Sequence, residues 1–235
     1  FGRVKQNFFP TSTRPQFMVH VWMPEGTLVT KTEERAAAIV EAARKLPGVT
    51  GVTSFAGSGA LRFLLTYTPE DADSAYALLL VDVDDYRKIG PLMEELEARA
   101  PALAPDALVS CQRFVLGPGD PLKIQMRILG PDPQTLRRLS ETALAILRAD
   151  GRFKEVQCDW RNRADLIEPN LAIERMRKLG LSRSDVGRAF RLATEGLTIG
   201  AYLEGDESLP LVLRAPARER ETPEDLNFAW TWSPQ

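Results

Sequence analysis

The feature that most constrains this chain is a helical period framed by two strand-like runs. Ala36, Ile39, Val40, Ala43 and Leu46 recur at helical spacing. Thr30 and Glu33 stand ahead of them at capping-box spacing, and Pro47-Gly48 stops the run. Phe17–Trp22 before the helix and Val49–Phe55 after it read as strands, giving a strand–helix–strand unit. Two further strands are expected over Arg62–Tyr67 and Tyr76–Asp82, separated by a polar loop with Pro69 and several acids. A helix follows from about Arg87 to Arg99 with Leu92, Met93 and Leu96 on one face, and Ala107–Val115 returns as a strand. The core order is β-α-β-β-α-β, the split βαβ pattern, with one inserted strand in the middle loop.

Leu116-Gly117-Pro118-Gly119-Asp120-Pro121 breaks the pattern, and a second strand–helix–strand unit begins. Lys123–Leu129 is its first expected strand. Asp132 suits an N-cap and Pro133 the first helical position. Leu136, Leu139, Ala143, Ile146 and Leu147 form the apolar stripe, Gly151 ends the helix, and Phe153–Cys158 is the expected return strand. This unit supplies only half of a split βαβ sheet. Beyond Asp165 the texture changes. Leu166–Glu168 reads as a short strand and Leu171–Leu179 as a short helix. Ser182 and Asp185 form a capping box before Val186, Ala189, Phe190 and Ala193. Leu197–Tyr202, Leu209–Arg214 and Phe228–Thr231 are expected strands, with Pro210 marking an edge or a strand start. The chain is thus α+β in three pieces, 1–118, 119–163 and 164–235.

Composition excludes several classes. A net charge of −2 over 235 residues argues against a nucleic-acid binder. No stretch approaches the roughly 20 apolar residues that span a bilayer. The opening Phe1 and the ending at Gln235 suggest a segment cut from a longer protein. Cys111 and Cys158 form no C-x-x-C pair and are expected free, with a disulfide as the alternative. His20 is the only histidine and has no partners for a triad or a metal site, so its expected role is structural. Asp82-Val83-Asp84-Asp85 reads as helix capping rather than a metal site. Trp160, Trp230 and Trp232 read as core or interface residues, and Arg214–Glu224 as a solvated loop or subunit edge. No metal, cofactor loop or nucleophile–base pair is expected, and with it no enzyme activity.

The order of these pieces resembles the second large periplasmic loop of resistance–nodulation–division (RND) exporters of the hydrophobe/amphiphile, acriflavine-resistance type. The resemblance is carried by Phe8-Phe9-Pro10, by Met23-Pro24-Glu25-Gly26-Thr27 followed by Thr32, and by Val52–Gly59. It continues through Ile128-Leu129-Gly130 to Leu136, and through Arg175–Val186 with Leu179-Gly180-Leu181-Ser182 at the centre. It implies a complete split βαβ (ferredoxin-like) porter subdomain, half of a second, and an incomplete α+β docking subdomain. It implies a periplasmic location on a bacterial inner-membrane protein and proton-driven multidrug efflux. Its implied partners are hydrophobic or amphiphilic small molecules, a homotrimer in the full-length protein, a periplasmic adaptor (membrane fusion) protein and an outer-membrane channel.

Two candidate sites follow. The first is the loop with Phe55, Gly57, Ser58, Gly59, Leu61, Arg62 and Phe63. Its glycines offer backbone freedom at positive φ, and the family's matching loop switches between outer and inner drug pockets; an ordinary inter-strand loop is the alternative. A phosphate loop is excluded by the lack of G-x-x-x-x-G-K. The second is the entrance cleft between porter subdomains, for which Arg113 and Phe114 are candidates, although strand alternation puts only one of them on the cleft face. A soluble ligand-sensing or regulatory βαβ module is the competing function, since fold alone does not fix activity.

Overall fold

The structure is a computed structural model that describes residues 12–117, 124–153 and 156–233. The chain divides into two compact units, Phe1–Asp165 and Leu166–Gln235. In the first, β1 (Gln16–Trp22), β2 (Val49–Ala56), β3 (Tyr76–Val83) and β4 (Leu108–Arg113) form one sheet in the order β2-β3-β1-β4. Every neighbouring pair is antiparallel. α1 (Val29–Arg44) connects β1 to β2, and α2 (Ile89–Leu103) connects β3 to β4. β1 and β2 run parallel and are split by β3, as the βαββαβ order requires.

Alternation along β1 assigns the two faces. Phe17, Val19 and Val21 join Ala36, Ile39 and Ala43 of α1 and Leu92 and Leu96 of α2 in the larger core. Met18 belongs to a second cluster with Tyr76, Leu78 and Leu80. β3 is therefore covered on both faces, which explains its near-continuous apolar sequence. Polar ties fix α1. Arg35 grips Asp106 through two bonds of 2.9 and 3.3 Å, and buried Thr32 donates to the Ser74 carbonyl at 2.6 Å.

Several expectations are corrected. Arg62–Tyr67 is not a strand; residues 57–75 form one loop. Phe63, Leu64 and Tyr67 cover the sheet rather than pair with it. Thr30 lies inside α1, whose N-cap is Leu28 with no side-chain cap bond. Among the described residues, 124–130, 153 and 156–158 carry no strand, so α3 (Pro133–Asp150), which also belongs to the first compact unit, stands without the strands expected beside it. Without a sheet to pack on, no residue of α3 is buried, and Leu139 and Ile146 are 45% and 65% exposed. The Asp132 cap, Pro133 start and Gly151 stop of this helix stand as read. Asp85 caps the short turn before α2, accepting from the Arg87 N–H at 2.9 Å. Cys111 and Cys158 form no disulfide. The Phe8-Phe9-Pro10 segment and Pro118–Pro121 lie outside the described residues.

In the second unit, α4 (Ile173–Lys178) precedes α5 (Arg183–Ala193). Ser182 and Asp185 make both bonds of a capping box. β5 (Leu197–Glu204) and β6 (Glu207–Leu213) form a two-stranded antiparallel hairpin. Pro210 sits in β6 opposite Ala201, where a two-stranded sheet is all edge. Leu166–Glu168 and Phe228–Thr231 are not strands, and Trp230 and Trp232 are 89% exposed rather than core.

Candidate functional site

The loop 57–75 starts where β2 ends. Phe55, opposite Leu78 in the sheet, is half-buried at its edge. The Gly57 N–H donates to the Tyr76 carbonyl at 2.8 Å, and the Gly57 carbonyl accepts from the Asp73 N–H at 3.0 Å. These two bonds close the loop at its base. Gly57 has φ +83°, a conformation that favours glycine. Gly59 is needed for a different reason: a Cβ there would stand 2.7 Å from the Glu70 backbone nitrogen. The freedom at positive φ expected of both glycines belongs to Gly57 alone.

The loop then lies across the sheet face opposite the helices. Ala60 and Tyr67 are buried, and Phe63 and Leu64 pack against the same cluster. These four positions have helical spacing although no helix forms, and they turn the intervening residues outward. Leu61 and Leu65 are 90% and 86% exposed. Ser58 is half-buried. Arg62 is exposed and donates to the Leu65 carbonyl at 2.7 Å, holding the tip in shape.

Phe63 brings the two candidate sites together. Its ring meets Phe114 edge-on at 5.7 Å and lies 4.9 Å from Tyr67. The Arg14 guanidinium sits 5.5 Å from the Phe63 ring and 5.6 Å from the Phe114 ring, a double cation–π contact. Thr66 donates to the Val115 carbonyl at 2.9 Å, a second tie between the loop and the end of β4. Phe114 is thus buried beneath the loop, at 3% exposure. Arg113 is on the other face: it is paired with Phe17 in the sheet, and its guanidinium lies against Gly90 at the start of α2. The structure therefore joins Phe114 to the loop and separates Arg113 from it.

Beneath the loop, His20 is held between Tyr76 and Gln112. Its Nδ1 is 2.8 Å from the Tyr76 hydroxyl and its Nε2 3.1 Å from the Gln112 Oε1. Because a carbonyl oxygen only accepts, the Gln112 contact places a proton on Nε2; in the neutral ring Nδ1 then accepts from the Tyr76 hydroxyl. Burial lowers the His20 pKa, and the bond to Gln112 opposes that shift. Burial also pushes the Tyr76 phenol far up. Near the loop base, the Glu70 carboxyl is raised by partial burial and by Asp71 and Asp73, against the pull of Arg161. Arg14 and Tyr67 escaped the sequence reading because their partners are distant in the chain. The 60-63-64-67 spacing was the one local sign that this segment covers a face.

The arrangement offers apolar contact on a tethered loop. Among the described residues no three of His, Cys, Asp and Glu converge to hold a metal. No helix among them is long and apolar enough to cross a membrane.

Comparison with known proteins gives a family and a fold. The model of the AcrB/AcrD/AcrF family matches residues 1–231. Two crystal forms of a heavy metal efflux pump share the fold: one at a TM-score of 0.68 and 16% identity over 93% of this chain. The other has a TM-score of 0.67 and 14% identity over 95% of it. The chain spans about a quarter of those structures, 23% and 24% of their length. No match is found among curated proteins.

Proposed function

The chain belongs to the AcrB/AcrD/AcrF family of RND efflux transporters, and from that premise we propose that it is the periplasmic porter and docking portion of a proton-driven exporter of hydrophobic or amphiphilic compounds. In this reading the protein is a transporter and not an enzyme. Loop 57–75 borders the substrate path. Leu61 and Leu65 touch the passing compound, while Phe63 and Tyr67 anchor the loop to the sheet.

The observation that carries this reading is the division of labour within the loop. Large apolar side chains exposed at 90% and 86% sit on a backbone held by a buried aromatic cluster. Such a rim has few directional contacts and suits greasy molecules of varied shape. The full-length protein assembles as a homotrimer of the inner membrane in this proposal, and the second unit meets the adaptor and the outer-membrane channel.

The test is export by the full-length gene in a strain without pumps of its own. Resistance to amphiphilic dyes and detergents is expected. It drops at unchanged expression in the Leu61→Ser/Leu65→Ser variant, because neither side chain supports the fold. Resistance to metal salts alone would sink the amphiphile reading. Unchanged dye resistance in the double variant would remove the loop from the path.

A further inference from the structure

Arg161 makes four contacts with the far side of its own unit. It forms ion pairs with Glu25 and with Asp73, the latter at 3.3 Å. It also donates to the Met23 carbonyl, and its guanidinium lies 4.7 Å from the centre of the Trp22 ring. The neighbouring Asn162 side chain accepts from the Glu25 N–H at 2.7 Å. Arg161 has φ +40°, the one non-glycine residue at positive φ among those described. Such a conformation persists when its surroundings over-determine it.

The contacts on either side of Arg161 give this node a direction. Behind it, Arg137 of α3 donates to the carbonyls of Arg161 and Trp160 at 2.9 and 3.4 Å, and stacks over Trp160 with its guanidinium 5.7 Å from the ring centre. Ahead of it, Asp73 closes the loop base through its own N–H on the Gly57 carbonyl. One unbroken set of polar contacts therefore runs from α3 through residues 160–161 to the hinge of the 57–75 loop.

We propose that Arg161 is a positioning residue that couples α3 to the base of this loop. A displacement of α3 carries Trp160 and Arg161 with it and changes how firmly Asp73 is held against Gly57. The proposal deepens the transport reading, which supplies its purpose; the coupling is a property of the fold and is tested without export. Spatial continuity alone does not establish coupling. The decisive variant is therefore Arg137→Gln, which alters no side chain of the loop or of β1.

Amide hydrogen exchange on the full-length protein provides the test. Arg161→Gln is expected to speed exchange at the Gly57 and Asp73 amides by about fivefold, the effect of losing half-exposed charged hydrogen bonds. Arg137→Gln shifts the same amides in the same direction, and Arg161→Lys, which keeps the charge without the fork, gives an intermediate effect. Combining Arg161→Gln with Asp73→Asn gives less than the product of the two single effects. Protection at Leu79 and Val81 in β3 stays as in the parent, which separates coupling from general unfolding. Should Arg161→Gln lose that protection, Arg137→Gln and Arg161→Lys carry the decision. If Arg137→Gln leaves Gly57 and Asp73 unchanged, Arg161 is only a local staple and the coupling is overturned. Absence of dye export by the parent, with the exchange pattern as expected, would count against the transport reading and not against this one.

Discussion

Residues 12–117 and residues 124–165 look alike in sequence and differ in structure. Both offer an apolar helical stripe between runs that read as strands. α3 has the better local signals: Asp132 accepts from the N–H groups of Gln134 and Thr135, and Pro133 and Gly151 mark its ends. α1 has no side-chain cap at all. Yet α1 buries Thr32, Ala36, Ile39, Ala42 and Ala43, and α3 buries nothing. Caps decide where a helix starts and stops. Coverage of its face depends on the strands available to pack against, which β2 and β3 provide for α1 and which no described strand provides for α3.

The largest effect that tests this contrast is in the cores. Leu79, fully buried in β3, should cost about 2–5 kcal/mol when cut to alanine. Ile146→Ala in the exposed stripe of α3 should stay within about 0.5 kcal/mol. Urea unfolding of both variants in the 235-residue chain reads the difference. Comparable losses would show that α3 is packed as tightly as α1, and would erase the distinction between the two regions.

A smaller effect sharpens it within the first region. Gly59→Ala drives a methyl into the Glu70 backbone and should cost about 1–3 kcal/mol. Gly57→Ala incurs the positive-φ strain and a 3.0 Å contact with Val29, about 1–2 kcal/mol. Gly59→Ala should also loosen the 57–75 loop to proteases more than Gly57→Ala does. The opposite ranking would mean that backbone conformation, not close approach, sets the shape of the loop.

Much of the sheet was legible beforehand because its signals are local and mutually consistent. The α1 period, the apolar run of β3 and the α2 face identify a helix layer and a sheet without any knowledge of pairing. The β5–β6 hairpin and the Ser182–Asp185 box were readable for the same reason. The loop was not. Arg62–Tyr67 has the composition of a strand, and beyond the 60-63-64-67 spacing only contacts with β3 and Phe114 show that it covers a sheet instead. Nor does any pattern link Arg14 to Phe63, or Arg161 to Asp73, across 49 and 88 positions. Among the described residues, 124–129, 153 and 156–158 likewise have strand composition and form no strand. Strand composition marks what a segment can pair with, and pairing needs a partner at hand.

The smallest effect is a pH dependence that should again divide the two regions. His20 titrates in the folded sheet below its ordinary value of 6.5 because burial disfavours the charged ring. Its contribution to stability is therefore whole above 6.5 and is lost as pH falls through the lowered folded value. Glu70 has the opposite sign. Its folded value lies above 4.5, so its contribution is whole below 4.5 and is lost as pH rises through the raised value. In α3 the Asp132 cap is held below 3.8 by the bonds it accepts, so its contribution falls away only in stronger acid. As pH falls below 6.5, unfolding of the sheet should thus become easier while the helical signal of α3 holds. His20→Gln should flatten that decline, and Glu70→Gln should remove the opposing trend. Equal slopes in the parent and in His20→Gln would mean that the buried imidazole does not control the acid response of the sheet.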